Sequence, residues 1–392
     1  MILLCLKRMC DKIENKKSRI CFVSLGSYSL LTEKKVNDIG GAEIQQVELS
    51  KELKKRGYEI SFITYGKNYY NIDLANGIKI LPAYDINDAK SYSFFKKAFL
   101  IYRKMKEVDA DIYYHHSGSA GVTGLFCRLN KKKGIIHISS DADVTGENII
   151  SKNIIVNLLN KIGSWFDIKL SDIIISQSSF QKSKLKEKFN VNSTIIKNIL
   201  DSSLQYNKKS IGDYLLWVGT IKFIKQPELL LKIAQHLPEY KFIMIGGEGE
   251  NPELFRNIKN AAGKIPNLNF IGFVSHDKIF DYYKKAILLI NTSKIEGFPN
   301  IFLEAWSCSI PVISLNVDPD GIISRYKLGY CSKNFEQMLD NIKTLLKDKE
   351  LLKMMGENGR KYVEENHDIR KIADQYEDLI ENLAKNCREN LL

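Results

Sequence analysis

The chain has 392 residues, of which 44% are hydrophobic and 27% charged, and its formal net charge is +12. These proportions are ordinary for a folded globular protein and argue against disorder, and the length predicts two domains because single cores stop growing at roughly 250–300 residues. The charge indicates an anionic partner, such as a phosphorylated ligand, an acidic membrane surface or nucleic acid, although a solvated basic surface accounts for it equally well.

The sequence lacks the signatures of several protein classes. It has no zinc-finger spacing, aromatic RNP-like strand or basic heptad helix, so nucleic acid is the weakest interpretation of the charge. Its seven cysteines are irregularly spaced without Cys-x-x-Cys, which is typical of free thiols in a reducing cytoplasm. No window approaches 18 uninterrupted apolar residues, so no transmembrane span is expected. Residues 1–18 lack the order of a signal peptide and are predicted to be a leader outside the fold.

In chain order, the first half alternates strand and helix patterns. Residues 19–25 form a continuous apolar run, which is typical of a parallel strand buried on both faces. A helix pattern over 42–53 and a second strand over 58–64 complete a strand–helix–strand unit. The alternation predicts a doubly wound α/β sheet. Its remaining predicted elements are strands at 77–82, 112–115, 134–138 and 172–176, and helices at 94–107 and 120–129.

A polar segment without periodicity, residues 201–210, is the predicted domain boundary, and the same alternation restarts after it. Two doubly wound halves of similar size resemble the GT-B architecture, in which two Rossmann-like domains face a cleft. The predicted domains are 19–205 and 206–369, and the resemblance implies that a C-terminal helix within 370–392 returns to the first domain. The elements predicted for the second domain are strands at 214–219, 241–246, 269–272, 287–290 and 311–314, and helices at 227–237 and 301–308.

The sharpest motif is a ten-residue segment that begins at Glu296 and follows a predicted buried strand. It therefore lies at the carboxyl end of a strand, where open α/β sheets bind ligands. The backbone N–H groups of Asn300, Ile301 and Phe302 begin a helix and form an anion site. Glu296 and Glu304 flank that site, and this arrangement suits a ligand with many hydroxyls and a diphosphate. Taken alone, the spacing also fits a loop glutamate and a solvated helix glutamate.

This segment resembles the E-x7-E signature of family 4 glycosyltransferases, and the strands before and after it belong to the same pattern. The resemblance implies that Glu296 contacts the sugar ring of a nucleotide-sugar donor and that Glu304 contacts the ribose hydroxyls. It also places Phe298, Asn300 and Ile301 in the donor site.

A second stretch, residues 216–227, resembles the family's pattern of strand, glycine, short loop and lysine before a helix. The resemblance assigns Gly219 to the donor site and Lys225 to the donor diphosphate, where an ammonium acts as a point charge. The family often has arginine where this chain has Thr220, so a second cation is expected from Lys222. Without the resemblance, Lys225 fits an ordinary surface lysine.

Two glycine pairs match the family more weakly. Gly246 and Gly247 follow a strand and resemble the turn near the nucleotide base, although such turns are common. They do not form a G-x-G-x-x-G that opens a helix, so a dinucleotide fingerprint is not supported. Gly40 and Gly41 precede the first helix, where a residue without Cβ lets backbone amides approach a phosphate. Gly41 therefore joins the predicted donor site, with a tight loop as the alternative.

The acid–base candidates carry weaker signals. In many relatives a histidine that contacts the donor sugar follows the strand that is predicted here at 134–138. This chain has Asp141 near that place, with Asp143 next. The predicted catalytic residues are accordingly Glu296, Lys225 and Asp141.

Three histidines and an Asp-x-Asp sequence remain open. His137 fits a structural strand residue better than a catalytic one, whereas His115 and His116 fit either the cleft or a packed core. Asp141-Ala142-Asp143 has the form of a metal site in GT-A enzymes but lacks that architecture. We therefore expect neither a metal nor another cofactor.

The matches are strong in the second domain and loose in the first. They imply transfer of a hexose-type unit from a nucleotide diphosphate sugar, held by the second domain, to an acceptor hydroxyl on the first domain, with retention of configuration. In that chemistry the departing diphosphate helps to deprotonate the acceptor, which fits a clear donor site without an obvious base. The expected acceptor is a glycan or lipid-linked glycan in cell-surface polysaccharide synthesis.

The expected location is the cytoplasm, at the inner face of the plasma membrane. Residues 92–99 are rich in aromatic residues and lysine, which suits peripheral contact with an anionic membrane, and a buried amphipathic helix explains them equally well. Two other functions remain open, a nucleotide-sugar epimerase of GT-B architecture and a non-catalytic glycan-binding protein. Donor base, donor sugar, acceptor, linkage and oligomeric state cannot be predicted from the sequence.

Overall fold

The computed structural model describes residues 17–32, 40–66, 73–75, 77–85, 87–88, 91–117, 121–146, 154–200, 212–249 and 251–389. These residues form two β-sheets with helices on both faces, which confirms the predicted α/β class with two doubly wound domains. The predicted boundary segment and all but the last two residues of the predicted leader lie outside the described residues. The domain limits therefore stay predictions.

The described part of the first domain contains an eight-stranded sheet. Its strands are β1 (Arg19–Val23), β2 (Glu59–Tyr65), β3 (Asp73–Ala75), β4 (Ile78–Tyr84), β5 (Ile112–His116), β6 (Lys133–His137), β7 (Ile173–Ser176) and β8 (Thr194–Ile195). They lie in the order β3-β4-β2-β1-β5-β6-β7-β8, and all neighbours pair in parallel except β3 with β4.

Seven helices of the described residues belong to this domain. They are α1 (Tyr28–Thr32), α2 (Gly41–Lys55), α3 (Phe94–Val108), α4 (Val122–Asn130), α5 (Asp141–Thr145), α6 (Ile154–Leu170) and α7 (Ser179–Phe189). The strands between them are buried on both faces, as their apolar runs predict. Phe22 stacks on Phe62 at 4.9 Å in the core under α2, whereas its neighbour Cys21 enters the core under α3 and α4.

The second domain has a six-stranded parallel sheet within the described residues. Its strands are β9 (Tyr214–Val218), β10 (Phe242–Ile245), β11 (Leu268–Gly272), β12 (Ala286–Asn291), β13 (Val312–Ser314) and β14 (Gly329–Cys331), in the order β11-β10-β9-β12-β13-β14. Its helices are α8 (Pro227–His236), α9 (Pro252–Ala262), α10 (His276–Tyr283), α11 (Asn300–Ser307), α12 (Ile322–Arg325), α13 (Phe335–Lys347) and α14 (Lys349–Asn366).

The last helix, α15 (Ile369–Glu389), leaves the second domain and packs on the first, which confirms the predicted return. The hydroxyl of Tyr376 lies 3.2 Å from that of Tyr114 in the core. At the surface, Arg56, which follows α2, donates a hydrogen bond of 2.9 Å to Glu377. The helix therefore ties the second domain, where α14 ends, to the first.

The carboxyl ends of both sheets face a cleft, and the two domains touch across it. Asn300 Nδ2 at the start of α11 donates to the Gly41 carbonyl at 2.9 Å. The Asp320 carboxylate of the second domain accepts the N–H of Ser179 at the start of α7, at 2.8 Å. Ligands of open α/β sheets bind at this edge, so the cleft is where a site is expected.

The structure bears on two further predictions, that the cysteines are free thiols and that no segment spans a membrane. Cysteines whose side chains the structure describes, namely Cys21, Cys127, Cys308 and Cys331, are free thiols. Among the helices of the described ranges, none combines the length and apolar character needed to cross a membrane.

Candidate active site

A cavity of about 330 Å³ lies in the cleft between the two domains. Its wall combines the amino end of α2 in the first domain with strand ends and loops of the second. Every residue predicted to bind the donor lines this one space, although the individual roles stay predictions. These residues are Gly41, Gly219, Lys225, Gly246, Gly247, Glu296, Phe298, Asn300, Ile301 and Glu304.

Glu296 lies in the loop between β12 and α11, at the cavity wall. Its Oε1 accepts a hydrogen bond of 2.7 Å from Ser293 Oγ and forms an ion pair with the Lys225 ammonium. Its backbone carbonyl accepts the N–H of Asp141 from the first domain at 3.2 Å. Contacts from both domains therefore hold this loop, and the carboxylate is turned towards a cation.

Lys225 ends a short 3-10 turn, Phe223–Lys225, directly before α8. Its carbonyl accepts a hydrogen bond of 2.7 Å from the Thr292 hydroxyl, and the oxygen of that hydroxyl accepts one of 2.9 Å from Trp217 Nε1. These bonds connect β9, the lysine loop and the residue that follows β12. The chain therefore brings the ammonium to Glu296 through backbone anchoring as well as through charge.

Glu304 lies on α11 with its side chain only 6% exposed, yet it borders the cavity. The Tyr283 hydroxyl donates to its Oε2 at 2.7 Å, and Nε2 of His276 lies 3.6 Å from its Oε1. Burial opposes a charge on His276, but the Glu304 carboxylate outweighs burial and raises the pKa of the imidazole above its usual value. Neither Tyr283 nor His276 is among the residues predicted from the sequence.

Two of the predicted glycines, Gly41 and Gly246, lie where an added Cβ would meet a neighbour. A Cβ on Gly246 would lie 2.3 Å from the Gly219 carbonyl, and a Cβ on Gly41 would lie 2.8 Å from Asn300 Nδ2. Both distances are shorter than real Cβ contacts, so Gly246 excludes a larger residue because the obstacle is backbone, whereas a larger residue at Gly41 would displace the Asn300 side chain. Lys222, the expected second cation, also lines the cavity, and its role stays a prediction.

The amino end of α11 differs in detail from the prediction. The Phe302 N–H donates to the Pro299 carbonyl at 3.1 Å, so the prediction that it belongs to an anion site is wrong. Asn300 and Ile301 supply the remaining candidate amides. The side chain of Asn300 also joins the domains, because its Oδ1 accepts a hydrogen bond of 2.9 Å from Asn198.

The first domain holds the Phe298 backbone with two side chains that the motifs do not identify. Gln177 Oε1 accepts the Phe298 N–H at 2.8 Å, and Asn198 Nδ2 donates to the Phe298 carbonyl at 3.0 Å. The two amides also bond to each other at 3.0 Å. The sequence does carry a signal for these two residues. Each is a polar residue that follows one of the last two strands of the first sheet, at the edge where ligands bind.

Asp141 begins α5 beside the cavity but is not among the residues of its wall. Its Oδ1 accepts a hydrogen bond of 3.0 Å from Gln181 Nε2. Burial, helped by the nearby carboxylates of Asp320, Asp143 and Glu296, raises the pKa of Asp141 to about 6. Its side chain could reach a ligand only at the margin of the cavity.

Among the three open histidines, His116 lines the cavity. Its Nδ1 lies 3.0 Å from Ser139 Oγ, and its Nε2 lies 3.1 Å from the Tyr114 hydroxyl. His137 is bonded to the same Tyr114 hydroxyl at 2.9 Å, and burial lowers its pKa to about 3. His137 therefore has the contacts of a structural strand residue, and His115 is buried in the core.

The Asp143 carboxylate has different partners from the Asp141 carboxylate. It accepts the Ser140 N–H at 2.9 Å and completes a capping box at the start of α5. Within the described ranges, no group of three or more His, Cys, Asp or Glu side chains is arranged to hold a metal ion. The expectation that the protein works without a metal ion stays a prediction.

Two family models match consecutive parts of the chain. The model described as Glycosyltransferase Family 4 matches residues 39–204, and the model described as Glycosyl transferases group 1 matches residues 201–362. Among curated relatives, an uncharacterized glycosyltransferase of Haemophilus influenzae is 25% identical over 88% of this chain and 97% of its own length. An O-antigen biosynthesis glycosyltransferase of Escherichia coli is 26% identical over 72% of this chain and 79% of its own.

Solved structures agree in fold. Sucrose-phosphate synthase from Thermosynechococcus elongatus has a TM-score of 0.78 at 16% identity, over 94% of this chain and all of its own. The Anabaena protein HepE, solved in complex with UDP-glucose, has a TM-score of 0.71 at 13% identity, over 93% of this chain and all of its own. The two-domain arrangement around the cleft is therefore shared with both proteins.

Proposed function

Because this chain belongs to the family 4-like glycosyltransferases of GT-B architecture, we propose that it moves a hexose-type unit from a nucleotide diphosphate sugar to a glycan or lipid-linked glycan, with retention of configuration. One observation carries the proposal. The cavity between the domains brings together a lysine, two carboxylates and the amino end of a helix, which are the groups that the parts of such a donor require.

Each group suits one part of the donor. The Lys225 ammonium, with the amides of Asn300 and Ile301, suits the diphosphate, because cations and helix amino ends attract anions. Glu296 beside that cation suits hydroxyls of the sugar, and Glu304 deeper in the cavity suits the ribose diol. The solved neighbour that binds UDP-glucose supports a nucleotide-sugar donor for this fold.

Glycines complete the proposed donor site by letting the backbone approach. Gly41 contributes from the first domain, and Gly219, Gly246 and Gly247 contribute from the ends of β9 and β10. Phe298 adds an aromatic wall that the first domain holds in place through its backbone. The site thus needs both domains, which fits a donor bound across a cleft.

In the proposed chemistry, the leaving diphosphate takes up the negative charge as the glycosidic bond breaks. Lys225 and Lys222 stabilise that charge more in the transition state than in the ground state. The same diphosphate helps to remove the acceptor proton, so no strong protein base is required. We propose that this proceeds without a metal or other cofactor, and that Asp141, whose side chain lies beside Glu296, tunes the sugar side of the cavity.

The acceptor is proposed to be a growing surface polysaccharide on a lipid carrier. A relative in O-antigen biosynthesis supports this class of acceptor. An enzyme acting on such a substrate in the cytoplasm must reach the inner face of the membrane. The first domain offers a surface for that contact.

That surface, the basic apolar face, consists of exposed side chains on α3, α4 and α6. Tyr102 of α3 packs edge-on against Phe126 of α4, and Gly124 lets α4 approach the α6 backbone closely, so the three helices are neighbours. Phe95 on α3 is 70% exposed and Trp165 on α6 is 45% exposed. The apolar members of the face are Phe95, Phe99, Leu125, Leu129, Ile155, Leu158, Ile162, Trp165 and Phe166.

The same three helices carry a positive charge that complements an anionic bilayer. Their exposed basic residues include Lys96, Arg103, Lys106, Arg128, Lys161 and Lys169. The exposed Glu107 is paired with Lys104 at 2.9 Å. Apolar side chains that enter a bilayer, flanked by cations that meet acidic headgroups, are the physical basis of peripheral binding. The predicted segment 92–99 forms one corner of this face.

A thermal-shift panel of UDP, GDP and ADP tests the donor class. The nucleoside diphosphate that fits should stabilise the protein by roughly 2.7 kcal/mol at 100 times its dissociation constant. Glu304→Ala should weaken that binding by about 1.5–3 kcal/mol, because a charged hydrogen bond to ribose is lost. A folded wild-type protein that none of the three nucleotides stabilises would contradict the proposal.

A further inference from the structure

The Glu304 carboxylate is contacted by two side chains of α10, which lie at opposite ends of that helix. Tyr283 donates to Oε2 at 2.7 Å, and His276 places Nε2 at 3.6 Å from Oε1. Tyr283 is fully buried, whereas His276 is 29% exposed and lines the donor cavity. Each carboxylate oxygen therefore has a neighbour that is not the ligand.

This arrangement determines what remains available to a ligand. A carboxylate has about four lone-pair sites, two on each oxygen. Tyr283 occupies one site on Oε2, whereas His276 faces Oε1 from 3.6 Å, beyond hydrogen-bond distance, so both oxygens of Glu304 keep acceptor sites for the cavity. Two adjacent acceptor sites of fixed spacing fit the vicinal hydroxyls of a ribose better than a freely rotating carboxylate does.

The charge on His276 depends on groups from three elements. Glu304 faces it from α11, while Glu48 and Lys51 face it from α2 across the cleft. Asp277 follows it on its own helix. Carboxylates outnumber cations in this set, which favours the protonated imidazole and agrees with its raised pKa.

We propose that His276 is a positioning residue that orients Glu304 for a ribose diol and adds a titratable positive charge beside the nucleotide. This role rests on the proposed donor site. It predicts that the chain discriminates ribose from deoxyribose through the pair His276 and Glu304. It also predicts that nucleotide affinity falls as the pH rises and the imidazole loses its proton.

The test compares wild type with His276→Ala and His276→Gln, using whichever of UDP, GDP and ADP gives the largest thermal shift and its 2′-deoxy counterpart. Calorimetry at pH 6.0 and 8.5 gives four dissociation constants for each protein. Wild type should prefer the ribose form by about tenfold or more at pH 6.0, and His276→Ala should lose most of that preference. His276→Gln keeps a side-chain donor, so it should retain the preference and lose the pH dependence relative to wild type.

The nucleotide itself also ionises over this pH range. Dividing the dissociation constant of His276→Gln by that of wild type at the same pH cancels this effect, because both proteins bind the same nucleotide. His236→Ala is a matched control, because His236 is an exposed histidine on α8 that does not line the cavity, and its ring contacts only the Lys232 carbonyl and the Phe335 ring in the described contacts. A folded His276→Ala that keeps the wild-type ribose preference would overturn the role of His276 alone. A wild type that binds none of the nucleotides would instead contradict the donor site and, with it, this role.

Discussion

The Lys225 ammonium and the Glu296 carboxylate form an ion pair at the wall of the cleft, although 71 residues separate them in the chain. Their side chains are 23% and 14% exposed, and both residues line the cavity. The two motifs that resemble a donor site therefore meet at one point. A donor entering the cavity would exchange this pair for its own diphosphate and hydroxyls.

Replacing Lys225 should impair catalysis more than binding. The diphosphate gains charge as the glycosidic bond breaks, so Lys225→Ala should lower kcat by about 100-fold or more and raise the donor KM less. Lys225→Arg should rescue poorly, because a planar fork does not replace a compact ammonium. Steady-state kinetics with saturating acceptor give both parameters.

Lys294→Ala is the matched control for that experiment. It removes one exposed lysine from the same region without altering the cavity wall. Wild-type kcat in Lys225→Ala would show that the lysine is a surface residue and would pass the phosphate role to Lys222.

Glu296 should act on the sugar rather than on the nucleotide. Glu296→Gln keeps the size of the side chain and its contact with Ser293 but removes the charge that pairs with Lys225. Turnover should fall by about tenfold to 100-fold, because a charged hydrogen bond to the sugar is worth about 1.5–3 kcal/mol. The affinity for free nucleoside diphosphate should stay within about threefold of wild type. Loss of both together would mean that the roles of Glu296 and Glu304 are reversed.

The ionised carboxylate of Asp141 should destabilise the folded protein, because its position is buried. Its pKa is raised from 3.8 to about 6, mainly by burial, so the folded state disfavours the ionised carboxylate. The contribution of Asp141 to stability therefore falls as the pH rises from about 4 to about 6, and the fall is complete above that window. Asp141→Asn should be more stable than wild type by on the order of 1–3 kcal/mol at pH 8 and no more stable at pH 4.

Denaturant unfolding at both pH values measures that difference, and activity decides what it means. If Asp141 serves the sugar site, the more stable Asp141→Asn should turn over more slowly than wild type, as expected where stability and function conflict. Equal turnover at every pH would make Asp141 a structural residue of the Glu296 loop.

The basic apolar face should govern membrane binding. Leu158→Ser combined with Trp165→Ser removes two of its exposed apolar side chains from α6, each worth roughly 1–2 kcal/mol on burial. Cosedimentation with vesicles containing an anionic phospholipid should therefore fall by at least about tenfold. Met354→Ser, which changes an exposed apolar residue on α14 of the second domain, should bind like wild type. Unchanged binding of the double variant would exclude this face.

The alternation of apolar runs and helix patterns predicted both sheets, because buried parallel strands are continuous in sequence. Several elements escaped it, among them two strands and one helix of the first domain. The strands β3 and β8 are short and lie at the edges of their sheet. No helix is predicted over Ile154–Leu170, where apolar residues point outwards as well as inwards and obscure the helical period.

The candidate site was predictable where the chemistry lies in a local motif. The predicted donor residues of the second domain line one cavity because the E-x7-E segment, the lysine loop and the Gly246–Gly247 turn each follow a strand of the same sheet, whereas Gly41 reaches it from the first domain. His276 lies outside both motifs and acquires its position only through the fold, and Gln177 and Asn198 carry only the weaker signal of polar residues that follow strands. The spacing of residues along the chain cannot reveal such contacts.

The central claim, hexose transfer, is tested most directly by nucleoside diphosphate release from the best UDP-, GDP- or ADP-hexose, measured with and without a lipid-linked glycan acceptor. The predicted result is release that depends on the acceptor, equals the amount of glycosylated product and yields the anomer of the donor. Conversion of the donor to its epimer without nucleotide release would contradict the claim, as would a wild-type protein that releases nothing from any of these donors.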